Sequence, residues 1–251
     1  MFNFKILFRT FLVLLFIIPC TALPQSLSKV HFSTLYGLRT DSLTLSDNTA
    51  LSIKREKPVL SFRLDEKMLS AGDAELRDMA DGYVLQFGNS VHLKVNQPSD
   101  DSQGWQCDVE FENISADTVT ISNVLPFGSD SASVSISGMG PDNPVRAWLS
   151  RPGYSPVRVI LPDNSWELGY SSFDVQNGIS VCAISRRMGT VGGIERRYET
   201  LLPPKAKVSY RIYAGIFRGD WQNGLKLIFR DRFLYDINEF DNTLYQRPDL
   251  A

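Results

Sequence analysis

Short runs in which apolar and polar residues alternate constrain the fold of this chain most strongly. In an extended strand, successive side chains point to opposite faces, so each such run collects its apolar residues on one face. Turn-forming sequences such as Gln176-Asn177-Gly178 and Pro203-Pro204 separate the runs. The pattern predicts an all-β fold in which two antiparallel sheets pack face to face as a β-sandwich. The runs cover residues 59–64, 83–87, 91–95, 105–111, 119–121, 157–161, 179–183 and 208–216.

Two stretches depart from this alternation. Residues 67–79 mix methionines and leucines with charges around Gly72 and fit either a short helix or a loop. The second stretch predicts a helix that begins at Asp220, a suitable N-cap. Its apolar residues recur at helical spacing and are Trp221, Leu225, Ile228, Phe229 and Phe233.

The predicted helix has an apolar side that needs a partner. A terminal helix that simply closes the sandwich is one interpretation. The residues after Phe233 remain rich in aromatic and apolar groups, and a free tail would expose them. We therefore favour a connector that packs on a neighbour beyond the sandwich.

The first residues have the pattern of a secretory signal peptide. Lys5 and Arg9 precede an apolar run, residues 11–18, that is too short to span a bilayer, and a small residue, Ala22, comes after it. We expect cleavage near Ala22 and export to the periplasm or the extracellular space, with no membrane association after cleavage. Lipid anchoring at Cys20 is the alternative, although Ile18 and Pro19 before it do not suit that modification.

Charge and length exclude some classes of function. Cleavage after residue 22 takes away Lys5 and Arg9, which leaves 229 residues with 24 basic and 28 acidic side chains. A mildly acidic chain without a basic stripe argues against nucleic acid as a partner. The length suits one large all-β domain or a domain with an appendage.

Two cysteines remain after cleavage, Cys107 and Cys182. Export permits a disulfide between them. Cys107, however, shares its strand phase with Trp105 and Val109, which favours a buried free thiol. Two lone thiols do not support a metal site, and no sequence motif indicates a cofactor.

The sequence gives little support for catalysis by a histidine. The chain has two histidines, His31 and His92, and neither lies beside a serine, cysteine or acid in a recognisable catalytic motif. The glycine-rich run at residues 189–193 has no helix after it, so a hairpin loop is a better interpretation than a phosphate cradle. We assign no catalytic residue.

One polar–aromatic cluster is a candidate carbohydrate site. Asp163 and Glu167 flank Trp166, and paired carboxylates with an aromatic plane suit a sugar, which offers hydroxyls and one apolar face. A capped turn beside a core tryptophan is the alternative interpretation. The full candidate set is Trp148, Arg151, Tyr154, Asp163, Asn164, Trp166 and Glu167.

Several segments together carry a resemblance to a known family. They are residues 105–127 with the turn at 113–119, residues 151–157, residues 162–170, and Gly219-Asp220-Trp221 leading to Phe240-Asp241-Asn242. This pattern resembles the N-terminal galactose-mutarotase-like β-sandwich of secreted bacterial α-galactosidase-like and α-glucosidase-like glycoside hydrolases. In such enzymes a (β/α)8 barrel comes after the sandwich and supplies the catalytic carboxylates.

The resemblance implies an arrangement in three parts. Residues 1–22 form the signal peptide, 23–217 the β-sandwich and 218–251 a helical linker towards a barrel that this sequence does not contain. The expected function is a non-catalytic module, inactive alone, that scaffolds the barrel and contributes to its carbohydrate cleft. A stand-alone carbohydrate-binding protein is the first alternative. An aldose mutarotase is the second, although that chemistry relies on a histidine pair and a glutamate.

Overall fold

The computed structural model describes residues 26–101, 104–128, 133–137, 146–147, 157–158, 168–196, 199–219 and 223–224. These residues are nearly all in β-strands, and every strand pair among them is antiparallel. The prediction of an all-β antiparallel sandwich is confirmed. Within this part of the chain, no helix is long and apolar enough to cross a membrane.

The strands are numbered in chain order. The first nine are β1 (Leu27–Ser33), β2 (Arg39–Leu45), β3 (Ala50–Pro58), β4 (Leu60–Leu64), β5 (Lys67–Ser70), β6 (Glu75–Met79), β7 (Gly82–Phe87), β8 (Val91–Asn96) and β9 (Ser99–Asp101). The next five are β10 (Gly104–Asn113), β11 (Val119–Pro126), β12 (Ser133–Ser137), β13 (Arg146–Ala147) and β14 (Val157–Arg158). The last five are β15 (Leu168–Asp174), β16 (Ile179–Val191), β17 (Ile194–Glu195), β18 (Glu199–Leu202) and β19 (Lys207–Arg218).

One large sheet organises the molecule. Its nine strands run in the order β12-β15-β16-β19-β10-β8-β7-β6, with β9 paired to β10. A five-stranded sheet, β17-β18-β11-β4-β5, and a three-stranded sheet, β1-β2-β3, form the opposite layer. In that layer β11 lies against β15 and β16, whereas β1 lies against β10 and β19. The second layer of the sandwich is therefore made by two smaller sheets.

The core lies between these layers and matches the alternation in the sequence. In β19, buried and partly exposed residues alternate from Lys207 to Ala214. Tyr210 pairs with Val109 of β10, and both belong to one apolar cluster that draws on all three sheets. Since paired residues of an antiparallel sheet share a face, this register defines an inner face of the large sheet.

Edge-to-face aromatic contacts connect the two layers. Phe62 of β4 meets Phe111 of β10 across the layers with ring centroids 4.7 Å apart, and within the large sheet Phe111 meets Tyr210 at 5.8 Å. Trp105 of β10 contacts Phe32 of β1, with centroids 6.3 Å apart. Each such pair adds about 1 kcal/mol beyond the area that it buries, so these contacts favour one arrangement of the three sheets.

Residues 67–79, which the sequence left open, form two short strands. β5 and β6 flank a single 3₁₀ turn, Ala71–Asp73. At the start of this turn, the amide of Gly72 donates a hydrogen bond to Ser70 Oγ at 3.1 Å. Each strand pairs with a neighbour, β5 with β4 and β6 with β7. Pairing with neighbouring strands thus determines the secondary structure of a segment whose own sequence pattern is ambiguous.

The glycine-rich run at residues 189–193 ends β16 and continues into a short loop at Gly192 and Gly193, and the expectation of a hairpin is wrong. β16 pairs with β15 and β19 in the large sheet, whereas β17 pairs with β18 in the five-stranded sheet. Gly192, with φ of 71°, lies at the crossing between the layers. The loop therefore joins the two layers of the sandwich instead of turning back on itself.

Asn113 ties the end of β10 to the neighbouring loops. Its side chain is fully buried, and Nδ2 donates to the carbonyls of Asp117 and Leu202 at 2.7 and 2.6 Å. Oδ1 accepts from the amide and the hydroxyl of Ser115 at 2.8 and 2.7 Å. All the hydrogen-bonding capacity of this amide is used, which is what burial of a polar side chain requires.

We expect Asn113→Ala to lower the free energy of unfolding by roughly 3 kcal/mol, because it removes the buried hydrogen bond to the carbonyl of Leu202 and the acceptor of Ser115. The measurement is urea denaturation followed by tryptophan fluorescence. The exposed Gln97 is a matched control, and Gln97→Ala should change stability by less than about 0.5 kcal/mol. Equal effects of the two substitutions would contradict the role given to Asn113.

Candidate functional site

The candidate carbohydrate residues lie outside the described part of the chain. They are Trp148, Arg151, Tyr154, Asp163, Asn164, Trp166 and Glu167. β13 and β14, which pair Arg146 with Arg158 and Ala147 with Val157, flank the first three in sequence. Glu167 immediately precedes β15. The carbohydrate site therefore stays a prediction.

The two histidines lie on different sheets. His31 is on β1, where its Nε2 is 2.8 Å from Thr44 Oγ1 of the neighbouring strand. His92 is on β8 of the large sheet, opposite Glu112 and Gln86. Among the described residues, no three histidines, cysteines or acids are grouped so that they could hold a metal ion.

The large sheet has a second, outer face that points away from the core. On β10 and β19 this face carries charged pairs: Arg211 Nε and Nη2 donate to Asp108 Oδ1 and Oδ2 at 2.6 and 2.8 Å. Lys207 Nζ donates to Glu110 at 2.8 Å and lies 3.5 Å from Glu112. We call this part, formed by Asp108, Glu110, Glu112, Lys207 and Arg211, the charged half of the outer face.

The ion pairs of the charged half shift the pKa values of its two cations. The hydrogen bond to Glu110, reinforced by the charges of both glutamates, raises the pKa of Lys207. The bidentate hydrogen bond to Asp108 likewise raises the pKa of Arg211. Both cations thus stay protonated throughout the neutral range, and the two cations of β19 face three carboxylates of β10.

The other end of the same outer face is apolar and buried. Ile184 of β16 pairs with Tyr213 of β19 and with Tyr170 of β15, while Cys182 pairs with Gly215. Tyr170, Cys182, Ile184 and Phe217 are all buried, yet none belongs to the inner core cluster. We call these four residues the apolar half of the outer face.

β16 is buried on both of its faces over its first half. Its first seven residues, from Ile179 to Ser185, are all buried. Val181 and Ala183 belong to the core cluster, whereas Cys182 and Ile184 point to the outer face. A strand that is buried on both faces has a nearly continuous apolar sequence rather than a strict alternation. Ile179-Ser180-Val181-Cys182-Ala183-Ile184 has that composition, so the sequence held a signal of a covered outer face.

The chain turns back towards this face directly after β19. Gly219 has φ of 87°, a conformation that favours glycine, and Asn223 Nδ2 donates to the carbonyl of Arg218 at 3.1 Å. Asn223 and Gly224 are α-helical. These are the described residues of the helix expected from Asp220; its other positions lie outside the described ranges.

Gly224 packs directly on the apolar half. It is buried, and a Cβ atom built on it would lie 2.7 Å from Phe217 Cε1 and 2.8 Å from Tyr170 Oη. A side chain at this position therefore requires the backbone or the rings to move. The chain after β19 approaches the sheet as closely as a glycine allows.

The two described cysteines, Cys107 and Cys182, form no disulfide and lie on opposite faces of the large sheet. Cys107 points into the core, and burial raises its pKa to about 12. Cys182 points to the outer face. Because the sheet separates the two thiols, the alternative of a disulfide between them is wrong, and Cys107 behaves as a small apolar residue as predicted.

The arrangement acts as a packing surface. The apolar half offers aromatic and aliphatic groups from three strands, and the charged half beside it marks where the apolar surface ends. In the charged half, Asp108 and Glu110 are hydrogen-bonded to Arg211 and Lys207.

Comparison with known proteins gives a remote likeness. No family model matches the chain, and no curated protein matches it. A solved polysaccharide lyase structure aligns with 79% of this chain and 33% of its own, at a TM-score of 0.41 and 11% sequence identity. This chain thus spans about a third of the length of that lyase.

We expect Gly224→Leu to destabilise the protein by about 2 kcal/mol, because the new side chain meets Phe217 and Tyr170 at closer than contact distance. Thermal and urea unfolding measure the effect. Phe217→Ala makes room at the same place, so Gly224→Leu with Phe217→Ala should cost less than the sum of the two single changes. Simple additivity would show that Gly224 and Phe217 do not meet in solution.

The charged half gives a separate test by a double-mutant cycle. Asp108→Asn and Arg211→Gln should show a coupling of about 1 kcal/mol, which weakens in 1 M NaCl because the pair is partly exposed. The control pair is Arg63 and Glu66, whose atoms are 3.4 Å apart and whose glutamate is exposed. An equally large coupling for Arg63 and Glu66 would contradict our expectation that the pair of Asp108 and Arg211 is the stronger of the two.

Proposed function

We propose that this chain is the non-catalytic β-sandwich module of an exported glycoside hydrolase and that it scaffolds a (β/α)8 catalytic barrel. The family resemblance of the sequence suggests the class of enzyme. The observation that carries the scaffolding role is the docked turn after β19, where Asn223 donates to Arg218 and Gly224 packs on Phe217 and Tyr170.

The packing of the chain just after β19 matters because it fixes the direction in which the chain leaves the large sheet. A binding module on a flexible tether leaves its partner free to sample many orientations. Here the chain leaves the sheet through a hydrogen-bonded turn and a buried helical residue, so the connector starts from a set position. This favours a rigid scaffold over a tethered carbohydrate-binding module.

The carbohydrate part of the proposal rests on sequence. Asp163, Trp166 and Glu167 combine carboxylates with an aromatic plane, and Trp148, Arg151 and Tyr154 precede them. In the proposed enzyme these residues border the sugar cleft while the barrel supplies the acid and the nucleophile. Export through the signal peptide at residues 1–22 suits an enzyme that meets polysaccharide outside the cytoplasm.

The first experiment measures sugar release by the purified chain from aryl-glycosides and polysaccharides. We expect no turnover, because the catalytic carboxylates belong to the barrel. Turnover that disappears on Asp163→Ala or Glu167→Ala would overturn the proposal and assign catalysis to this chain. Sequencing of the transcript beyond codon 251 should reveal a barrel, in frame or after a frameshift.

The second experiment separates the scaffold from a stand-alone binding protein. Calorimetry over a broad panel of oligosaccharides should give no saturable binding with the isolated chain, since one edge of a cleft offers few contacts. Micromolar binding that Trp166→Ala weakens at least ten-fold, with no barrel in the transcript, would favour the binding protein instead. Trp148→Ala is the companion variant at the other end of the predicted site.

A further inference from the structure

Two large apolar side chains extend into solvent from the loop between β1 and β2. Leu35 is 76% exposed and Tyr36 is 70% exposed, and both belong to the loop at residues 34–37. A tyrosine ring gains free energy when its apolar faces leave water, and its hydroxyl adds a polar contact. An exposed ring is useful for binding if the backbone that carries it is fixed.

The backbone of this loop is fixed by the neighbouring segments. The amide of Leu38 donates to the carbonyl of Ala71 at 2.9 Å, and the amide of Val59 donates to the carbonyl of Leu38 at 3.1 Å. Gly37 has φ of 68°, and a Cβ atom there would lie 2.6 Å from the carbonyl oxygen of Ala71. The loop is thus packed and hydrogen-bonded at its base. Such preorganisation lowers the entropic cost of binding a ligand at Tyr36.

A single guanidinium joins Tyr36 to an exposed carboxylate. Arg39 Nε donates to the carbonyl of Tyr36 at 3.0 Å, while Arg39 Nη2 donates to the carbonyl of Gly72 at 2.9 Å and to Asp73 Oδ1 at 3.2 Å. The side chain of Asp73 nevertheless remains 75% exposed. Tyr36 therefore has an anchored cation and an exposed hydrogen-bond acceptor close to it.

The size and chemistry of this surface favour a sugar over a protein partner. Leu35 and Tyr36 together expose on the order of 300 Å², whereas a specific protein interface buries about 800 Å² on each partner. A sugar ring needs one aromatic plane for its apolar face and polar groups for its hydroxyls. Asp73 accepts from a hydroxyl and Arg39 donates to one. The exposed carboxylate disfavours an anionic ligand.

We propose that Tyr36, Arg39 and Asp73 form a surface subsite that binds one sugar ring of a polysaccharide. The inference rests on the proposed function and adds a contact with carbohydrate that is separate in sequence from the predicted cluster at residues 148–167. One ring on one aromatic side chain gives a dissociation constant in roughly the millimolar range, too weak to saturate in calorimetry with short oligosaccharides. A polysaccharide offers many rings on one chain, which raises their local concentration.

Native electrophoresis in gels that contain a polysaccharide detects such weak binding as a loss of mobility. The protein is the full chain, and the probes are galactomannan, soluble starch, xyloglucan and arabinoxylan. We expect at least one of them to retard the parent chain. Tyr36→Ala should weaken the apparent binding roughly ten-fold because the stacking plane is lost. Tyr36→Trp should retain the binding because it keeps an aromatic plane.

Val191→Ala is the matched control, because Val191 is also apolar and is 71% exposed at the end of β16. It should leave the retardation unchanged. Asp73→Ala should weaken the binding about three-fold, since the ring keeps its plane but loses one acceptor. The inference is wrong if none of the four polysaccharides retards the parent chain, or if Tyr36→Ala is retarded as strongly as the parent.

Two further results would assign the binding elsewhere. Retardation that Trp166→Ala abolishes and Tyr36→Ala does not would place the binding at the predicted cluster, which rejects this subsite and leaves the proposed function intact. A dimer in light scattering that Tyr36→Ala converts to a monomer would make Tyr36 a contact between two copies of the chain. The scaffolding role is tested by sugar release and by the transcript beyond codon 251, so the two proposals fail on different measurements.

Discussion

The burial of β16 on both faces is the constraint on which the rest of the structure depends. Its first seven residues are buried, although an antiparallel sheet commonly leaves one face in water. The inner face is covered by β11, with Ser171 of β15 donating across the layers to the carbonyl of Gly128 at 3.2 Å. On the outer face Cys182 and Ile184 are buried as well, and beside them Gly224 packs on Phe217 and Tyr170.

The outer face of the large sheet is divided into an apolar half and a charged half. Aromatic and aliphatic side chains gather where β15, β16 and β19 meet, and paired charges occupy β10 and the other end of β19. Apolar surface favours association and charge pairs resist burial, so the two halves of the outer face differ in the neighbours that they favour.

Sequence reasoning succeeded where one face of a strand meets the core. β8, β10 and β19 match their predicted runs because each presents alternate apolar residues to the same cluster. It missed β3, whose residues 54–57 are all charged, because charged side chains normally mark the surface. Lys57 is nevertheless buried, with its ammonium 5.2 Å from the ring centroid of Phe173, a contact that no local pattern predicts.

The sequence by itself determined the fold class, because period-two alternation allows its apolar side chains one burial geometry. It also determined the core role of Cys107 and predicted the helical conformation of residues 223–224. Only the tertiary structure decided that Cys182 lies on the far side of the same sheet, that residues 67–79 are strands, and that Gly224 meets Phe217 and Tyr170. These features depend on pairing between distant strands, since residues 170, 184 and 217 become neighbours only when the large sheet has formed.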